Sequence, residues 1–266
     1  MKVRCSTDPS ESTFYSWHGD IYSYFPQRAP VLTFGFVGFN VARCIPNPDG
    51  SGTSLLLTRE LSYYLDPVSR ERLDVWHNPF TGDEVSVVHV ANDPVNAGIG
   101  SLHVDMLSEK KGAYVVDVPL FYPNPLSDDA NNGTFAMYGG GRKYYEAGEF
   151  FKFYFDVSDL ENPMRVSDVA ISWNRVGPFL PWMAMGDAEG GVLYSCVGAR
   201  AVGMNIEDAG LPAWIVEDVR ERLPKYKAAP TEYETPNETS NSYFIKHFDE
   251  YLSGEVFPLP DDYAKE

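Results

Sequence analysis

The sequence predicts a mainly β protein: a single antiparallel β-barrel or strongly curved sheet of calycin-like type, with two C-terminal amphipathic helices packed outside. Three observations predict it. About ten short runs alternate apolar and polar residues between Pro, Gly, Asn and Asp clusters, the pattern of strands joined by hairpins. The 17 Tyr, 16 Phe and 5 Trp suit a sheet and also suit a pocket for a flat ligand. Two runs with apolar residues every three to four positions close the chain. No shift in composition marks a boundary, so residues 1–266 read as one domain.

Residues 12–25 alternate weakly and read as a first strand pair around Gly19-Asp20. Residues 36–96 follow as a meander of four strands. Two of its turns are near copies: Asp66-Pro67-Val68-Ser69-Arg70-Glu71 and Asn78-Pro79-Phe80-Thr81-Gly82-Asp83. In each, Asp or Asn opens the turn, Pro presets φ, and a hydroxyl residue can bond back to the backbone. Odd positions place Val37, Phe39, Val41 and Arg43 on one face, with Leu61, Tyr63 and Arg59 from the second strand. Val75, His77, Val87 and His89 continue this row, which is expected to face the interior. The even positions, including Thr58, Glu60, Ser62 and Asp74, are expected at a solvated rim. Pairing Leu65 with Glu71 sets Tyr63 against Leu73, Arg59 against His77 and Val75 against Val85.

Strands resume at 101–107, with His103 on the polar side, and at 113–120; residues 122–133 form a polar rim or lid. Gly139-Gly140-Gly141 lacks the spacing of a phosphate loop and reads as a flexible turn. Residues 144–157 are the most aromatic strand. Tyr145, Phe151, Phe153 and Phe155 share one face, Tyr144, Phe150 and Tyr154 the other, and both faces are expected to be covered. Strands at 166–174 and 192–202 flank an apolar loop, 178–186, expected across the barrel mouth. The helices are placed at 211–223, with Leu211, Ile215, Val219 and Leu223 inward, and at 240–253, with Ser240 as N-cap and Tyr243, Phe244, His247, Phe248 and Tyr251 inward.

A net charge of −17, from 38 acidic and 21 basic residues, excludes a phosphate-binding surface, so neither nucleic acid nor an anionic membrane is an expected partner. No apolar run is long enough for a membrane span or signal segment. Cys5, Cys44 and Cys196 are far apart; no disulfide framework is expected, and a reducing, cytoplasmic setting follows. Catalytic motifs such as G-x-S-x-G, H-E-x-x-H, the Walker loop and G-x-G-x-x-G are absent, so no cofactor is expected. A metal site would need His77, His89 and His103, and His103 falls on a different face; no metal is expected.

The chemistry therefore rests on basic groups in apolar rows. An unpaired guanidinium there costs several kcal/mol, so Arg59 needs a partner. It is either a structural pair with Glu60 or Asp83, or an anchor for a ligand oxygen in a hydrophobic cavity. In the second reading Arg59, His77 and His89 are catalytic. Arg43, Phe39, Tyr63, Trp76, Asn92, Asp93, Phe153, Trp173 and Trp182 surround the substrate. The expected function is a cofactor-independent cyclase, isomerase or lyase of small-molecule biosynthesis. Its substrate would be a hydrophobic polyketide, terpenoid or aromatic compound, with imidazole moving a proton and Arg holding developing charge. The alternative is a calycin-like carrier of a small hydrophobic acid. A structural or partner-binding module is a third reading, and a homodimer is left open. A cavity of roughly 300 Å³ or more on Arg59 and His89 separates the first two from the third.

Several runs carry a family resemblance: Gly38-Phe39-Asn40-Val41-Ala42-Arg43, Thr58-Arg59-Glu60, Leu65-Asp66-Pro67, Trp76-His77-Asn78-Pro79-Phe80-Thr81-Gly82 and His89-Val90-Ala91-Asn92-Asp93-Pro94-Val95-Asn96. Trp182-Met183-Ala184-Met185-Gly186, Tyr226-Lys227-Ala228-Ala229-Pro230 and Asn237-Glu238-Thr239-Ser240 extend it over most of the chain. The sequence resembles a bacterial and fungal family known as domain of unknown function 1838. The resemblance implies that the chain is one unit, and that Arg43, Arg59, His89, Asn92 and Asp93 share whatever role the family has. In fungi it mildly favours a tailoring role in a small-molecule pathway. The sequence departs from the family pattern at Arg70, where Gly is expected, at Asn241, where Trp is expected, and at His77, a variable position.

Overall fold

The computed structural model describes residues 1–99, 104–127 and 135–254. The strands are β1 (Thr13–Tyr24), β2 (Val31–Pro46), β3 (Ser54–Leu65), β4 (Val75–His77), β5 (Glu84–Ser86), β6 (Val90–Asn92) and β7 (Ala97–Ile99). They continue with β8 (Val104–Met106), β9 (Lys111–Pro123), β10 (Tyr144–Asp156), β11 (Val169–Gly177) and β12 (Gly191–Arg200), and the helices are α1 (Ala136–Gly139), α2 (Val157–Glu161), α3 (Ala213–Glu221), α4 (Ser240–Lys246) and α5 (Phe248–Leu252). Ten of them form one antiparallel sheet in the order β6-β3-β2-β1-β12-β11-β10-β9-β8, with β7 also on β3; β4 and β5 form a separate ribbon.

The sheet is strongly curved. β3 and β9 stand six places apart, which in a flat sheet is about 29 Å at the usual spacing. Yet Glu60, Ser62 and Tyr64 of β3 and Leu120 and Tyr122 of β9 line one cavity. Among the described residues the two edges do not pair, so the sheet is open rather than a closed barrel. The gap is bridged by the 3-10 turn Pro181–Met183 and by the helix α4 (Ser240–Lys246), both of which contribute cavity walls. Trp182 and Met183 are buried in that turn, as an apolar loop requires.

Near β1–β3 both faces of the sheet are buried. Trp17, Phe36, Tyr64 and Tyr194 pack inside. Phe14, Val37, Phe39, Val41, Leu61 and Tyr63 pack outside, beneath Ile215 and Val219 of α3 (Ala213–Glu221) and the Leu223 and Tyr226 that follow. Gly38 is required on the inner face, because a Cβ there would lie 2.0 Å from Ser62 Oγ. That clearance leaves the Ser62 hydroxyl to accept the Trp17 indole N–H at 3.1 Å.

Several expectations are corrected. Residues 13–24 form one long strand, not a pair; Gly19 is mid-strand, opposite Phe36 and Cys196. The second half of the expected meander leaves the sheet. Each copied turn is one residue longer than its expected register. The Asp66 N–H donates to Glu71 O and Leu65 bridges to Arg72, while His77 pairs with Glu84 and Val75 with Ser86. Arg59 and His77 therefore never meet. The two turns are nonetheless copies: Asp66 Oδ1 accepts the N–H of Val68 and Ser69, and Asn78 Oδ1 those of Phe80 and Thr81. Arg70 and Gly82 hold the same left-handed position, at φ 63° and 84°.

The outer face of β9–β12 is not covered: Phe121, Tyr144, Phe150 and Val197 are exposed. Cys5 and Cys44, read as unpaired, form a disulfide, which removes the cysteine argument for a reducing setting. The last helix is broken at His247 into α4 and α5 (Phe248–Leu252), and Thr239 rather than Ser240 is its N-cap. No helix among the described residues is long and apolar enough to cross a membrane. His103 lies outside the described residues.

Arg59 sits on the outer face and ties β3 to the chain beyond α3. Its Nε donates to Asp93 Oδ1 at 2.7 Å and its Nη1 to the carbonyls of Ala228 and Lys225 at 2.7 and 3.1 Å. Lys225 Nζ also reaches Asp93, at 2.8 Å. Replacing Arg59 by Met takes the side-chain donor from Ala228 O and from Asp93 Oδ1, while Lys225 O keeps the Ala228 N–H at 3.5 Å. The Arg59→Met variant should lose about 2–4 kcal/mol in urea unfolding while keeping the inner cavity; an unchanged midpoint would show that the clamp carries no stability.

Candidate functional site

The cavity lies on the inner face and has a volume of about 330 Å³. Its apolar walls are Trp17, Phe36, Phe151, Trp173, Trp182 and Phe244. Alternation explains the set: Trp17, Phe36, Ser62 and Tyr64 are inward positions of β1–β3, and Phe151, Trp173 and Tyr194 are inward positions of β10–β12. The Phe151 and Trp173 rings stack at 5.8 Å and nearly parallel, and Trp17 meets Trp173 at 5.6 Å. Such walls accept a flat molecule.

Two polar clusters, one around Glu60 and one around Arg175, stand out in the lining. The first is Glu60, level with Asn40 on β2 and Asn92 on β6. Its carboxyl accepts Asn92 Nδ2 at 2.8 Å and Asn40 Nδ2 at 3.4 Å. Asn92 cannot turn its amide around, because its Oδ1 already accepts the Ser240 N–H at 2.7 Å and the Ser240 hydroxyl at 3.1 Å. Burial, then the nearby charge of Glu149, push the Glu60 pKa up to about 7, against the two amide donors that favour the anion. Glu60 is thus a carboxyl that gains and loses its proton near neutrality.

The second is Arg175 on β11. Its Nε donates to Glu149 Oε1 at 3.2 Å, its Nη2 to the Tyr145 hydroxyl, and its guanidinium lies 5.4 Å from the Tyr194 ring. Nη1 is buried without a hydrogen-bond partner, as are Trp173 Nε1 and Asn241 Oδ1, all from residues that line the cavity. Buried polar atoms are normally paired, and among the described residues these three are the atoms of the cavity-lining side chains left without a partner. Tyr64 and Tyr194 share a hydroxyl contact of 2.9 Å; burial pushes the Tyr64 phenol up to about 12, so it stays neutral.

Of the residues singled out in the sequence, Asn92, Trp173 and Trp182 reach the cavity. Phe153 is on the inner face but packs against Tyr15 and Tyr114 instead. Phe39 and Tyr63 are on the outer face, where the Tyr63 hydroxyl donates to Asp218 under α3. Arg59 and Asp93 form the clamp. Arg43 reaches Pro9 O at 3.4 Å, away from the cavity. Trp76 packs against Phe34 and the back of Trp182. The His77 side chain is 83% exposed and pairs with Glu84, which gives it no dry site in which to act.

His89 is buried beside the cavity wall but outside it. Its Nδ1 accepts the Tyr64 N–H at 3.2 Å, satisfying a β3 amide beyond the end of β6, and its Nε2 faces Asp74 at 3.7 Å. Burial lowers its pKa, and the same contact helps hold the Asp74 carboxyl at about 2. It is a neutral structural imidazole. What the sequence reading missed is Glu60, Arg175, Glu149 and Tyr145. The signal was present: Glu149 and Arg175 are charged residues on the inward parity of two otherwise aromatic strands.

The Glu60 environment has a thermodynamic signature. Its folded pKa lies above its unfolded value, so its contribution is full below pH 4.5 and is lost as pH rises through about 7. Replacement by Gln removes that loss. Glu60→Gln should match wild type in urea unfolding at pH 4.5, then exceed it by about 1–3 kcal/mol at pH 8.5. A gap that does not vary with pH would place the carboxylate in water.

A search of curated proteins gives no match to the chain. The model of the family described as "Protein of unknown function (DUF1838)" matches residues 10–248. The matched span takes in all twelve strands and both sides of the cavity, and the chain belongs to that family.

Proposed function

We propose that the protein is a cofactor-independent enzyme that moves a proton on a small hydrophobic, aromatic or polyketide-like molecule held inside the curled sheet, as an isomerase, cyclase or lyase. The observation that carries this reading is Glu60: a carboxyl with a pKa of about 7 in the wall of a cavity lined by Trp and Phe. A general base or acid works best when its pKa is near the working pH, and such groups contribute roughly 10²–10⁴-fold. The role first assigned to imidazole passes to this carboxyl. Asn92 donates to Oε2 at 2.8 Å with a fixed amide and Asn40 to Oε1 at the longer 3.4 Å, so Oε1 is the less firmly held oxygen.

A carrier that holds the same molecule unchanged is the second reading, favoured by Glu149 being already neutralised by Arg175, which leaves one free acid in the cavity. The two part on one experiment. Small-molecule extract from the source organism is incubated with wild type and with Glu60→Gln, and bound and released compounds are followed by mass spectrometry and NMR. The enzyme reading expects wild type to convert one compound to an isomer or a dehydrated or cleaved product. Glu60→Gln should bind it with conversion slowed about 100-fold or more. Recovery of the compound unchanged from wild type supports the carrier, and equal conversion by both proteins removes Glu60 from the chemistry.

A further inference from the structure

α3 and the residues that follow it cover the outer face of the sheet over β1–β3. Farther round, the outward side chains of β10–β12 stay at the surface. Phe150, Tyr154, Val176, Leu193 and Val197 are between 36% and 55% exposed. They form one patch: Val176 pairs with Leu193, Ser172 with Val197, and Phe150 stands beside Asn174. Ala170, Ser172 and Ala199 keep the ground between them low. The Phe150 ring leans over Gly148, where a Cβ would lie 2.9 Å from it. The result is a flush apolar face.

A solvated face of an antiparallel sheet normally carries polar and charged residues at alternate positions. Across β9–β12 the charged outward residues are Lys111, Asp117, Glu146, Lys152 and Asp156. Three acids and two lysines sum to −1, on a chain of −17. Lys111 and Asp156 pair with each other at 3.0 Å at one end of the face. Few charges around a centre of Phe, Tyr and Val is the composition of an interface core.

The charge also chooses the occupant. Two chains of −17 repel at any acidic face. This near-neutral one lets them approach at little Coulomb cost. The patch is self-complementary as well. Asp117 stands opposite Phe150 and Lys152 opposite Val115, so the two charges are diagonal neighbours. A two-fold axis between them sets each copy's Lys152 against the other's Asp117, as an isologous contact requires. The face is convex across the strands, which limits the contact to these four. Four strands about 4.8 Å apart and about eight residues long give about 500 Å² per copy. Two copies together bury about 1,000 Å², the lower bound for a specific interface. We propose that the protein forms a weak two-fold dimer through the outer face of β9–β12, with the two cavities on the sides away from the contact.

Sedimentation velocity of the full chain, from about 1 to 500 µM, tests this. Wild type is expected to pass from monomer to dimer with a Kd in the micromolar range. Raising NaCl from about 20 to 300 mM should tighten the dimer, because salt screens the repulsion between the two bodies. Phe150→Glu and Val197→Glu each bring two like charges together across the axis and should raise Kd about tenfold or more. Val68→Glu, at a residue 89% exposed in the Asp66 turn, should leave Kd unchanged. All three side chains are at the surface, and either face variant serves if the other does not fold. Wild type that stays monomeric at every concentration overturns the proposal, as does a dimer that both face variants retain. A dimer that loosens with salt is held by charge and contradicts a near-neutral contact. Loss of the dimer in Val68→Glu puts the contact on another face. The contact does not involve Glu60, so each of these outcomes leaves the cavity reading as it stands.

Discussion

A carboxyl group held on the concave side of a curled sheet is the constraint on which the rest of this molecule depends. Glu60 stands half-buried in the cavity wall, close to a second carboxylate, and is tied at one oxygen by an amide that cannot rotate. Such a group is expensive to keep in a fold unless its surroundings are fixed. The fixing elements come from distant parts of the chain. Asn40 and Asn92 stand level with it on the flanking strands, and Ser240 at the start of α4 locks Asn92. The helix that closes the open side of the sheet is therefore joined through one hydrogen-bonded relay to the group that titrates.

The outer face has a different task. There Arg59, Asp93 and Lys225 join β3 to the segment after α3, and Tyr63 reaches Asp218 from below the helix. Arg59 and Asp93 belong to the runs that carry the family resemblance, and both serve docking of the helical layer. His89 completes the division by satisfying the Tyr64 amide where strand pairing ends.

Much of the architecture was legible in the sequence. Alternation found most strands, the doubled Asp/Asn-Pro turn was a true repeat, and the Leu211–Leu223 spacing located α3. The apolar loop around Trp182 did bury itself against a cavity. The site was not legible for one reason: period-two alternation separates two faces but does not say which is inside when both are buried. Arg59 and Glu60 are adjacent, and the assignment of inner and outer was reversed. Turn length misled in the same way, because a Pro-initiated turn of one more residue moves each pairing by one position. The edge connection from β3 to β6, which puts Asn92 rather than His77 beside it, depends on contacts hundreds of atoms away and has no local signature.

The inner face as the binding face is the claim that most needs a direct measurement, and the five tryptophans allow it. Trp17, Trp173 and Trp182 line the cavity, whereas Trp214 lies on the outer face against Tyr63. In a ¹⁵N-indole NMR titration with 2-acetonaphthone, the Trp17, Trp173 and Trp182 signals should shift and that of Trp214 should stay in place. Movement of Trp214 with Trp17 and Trp173 unmoved would put the ligand on the helix side and contradict the account.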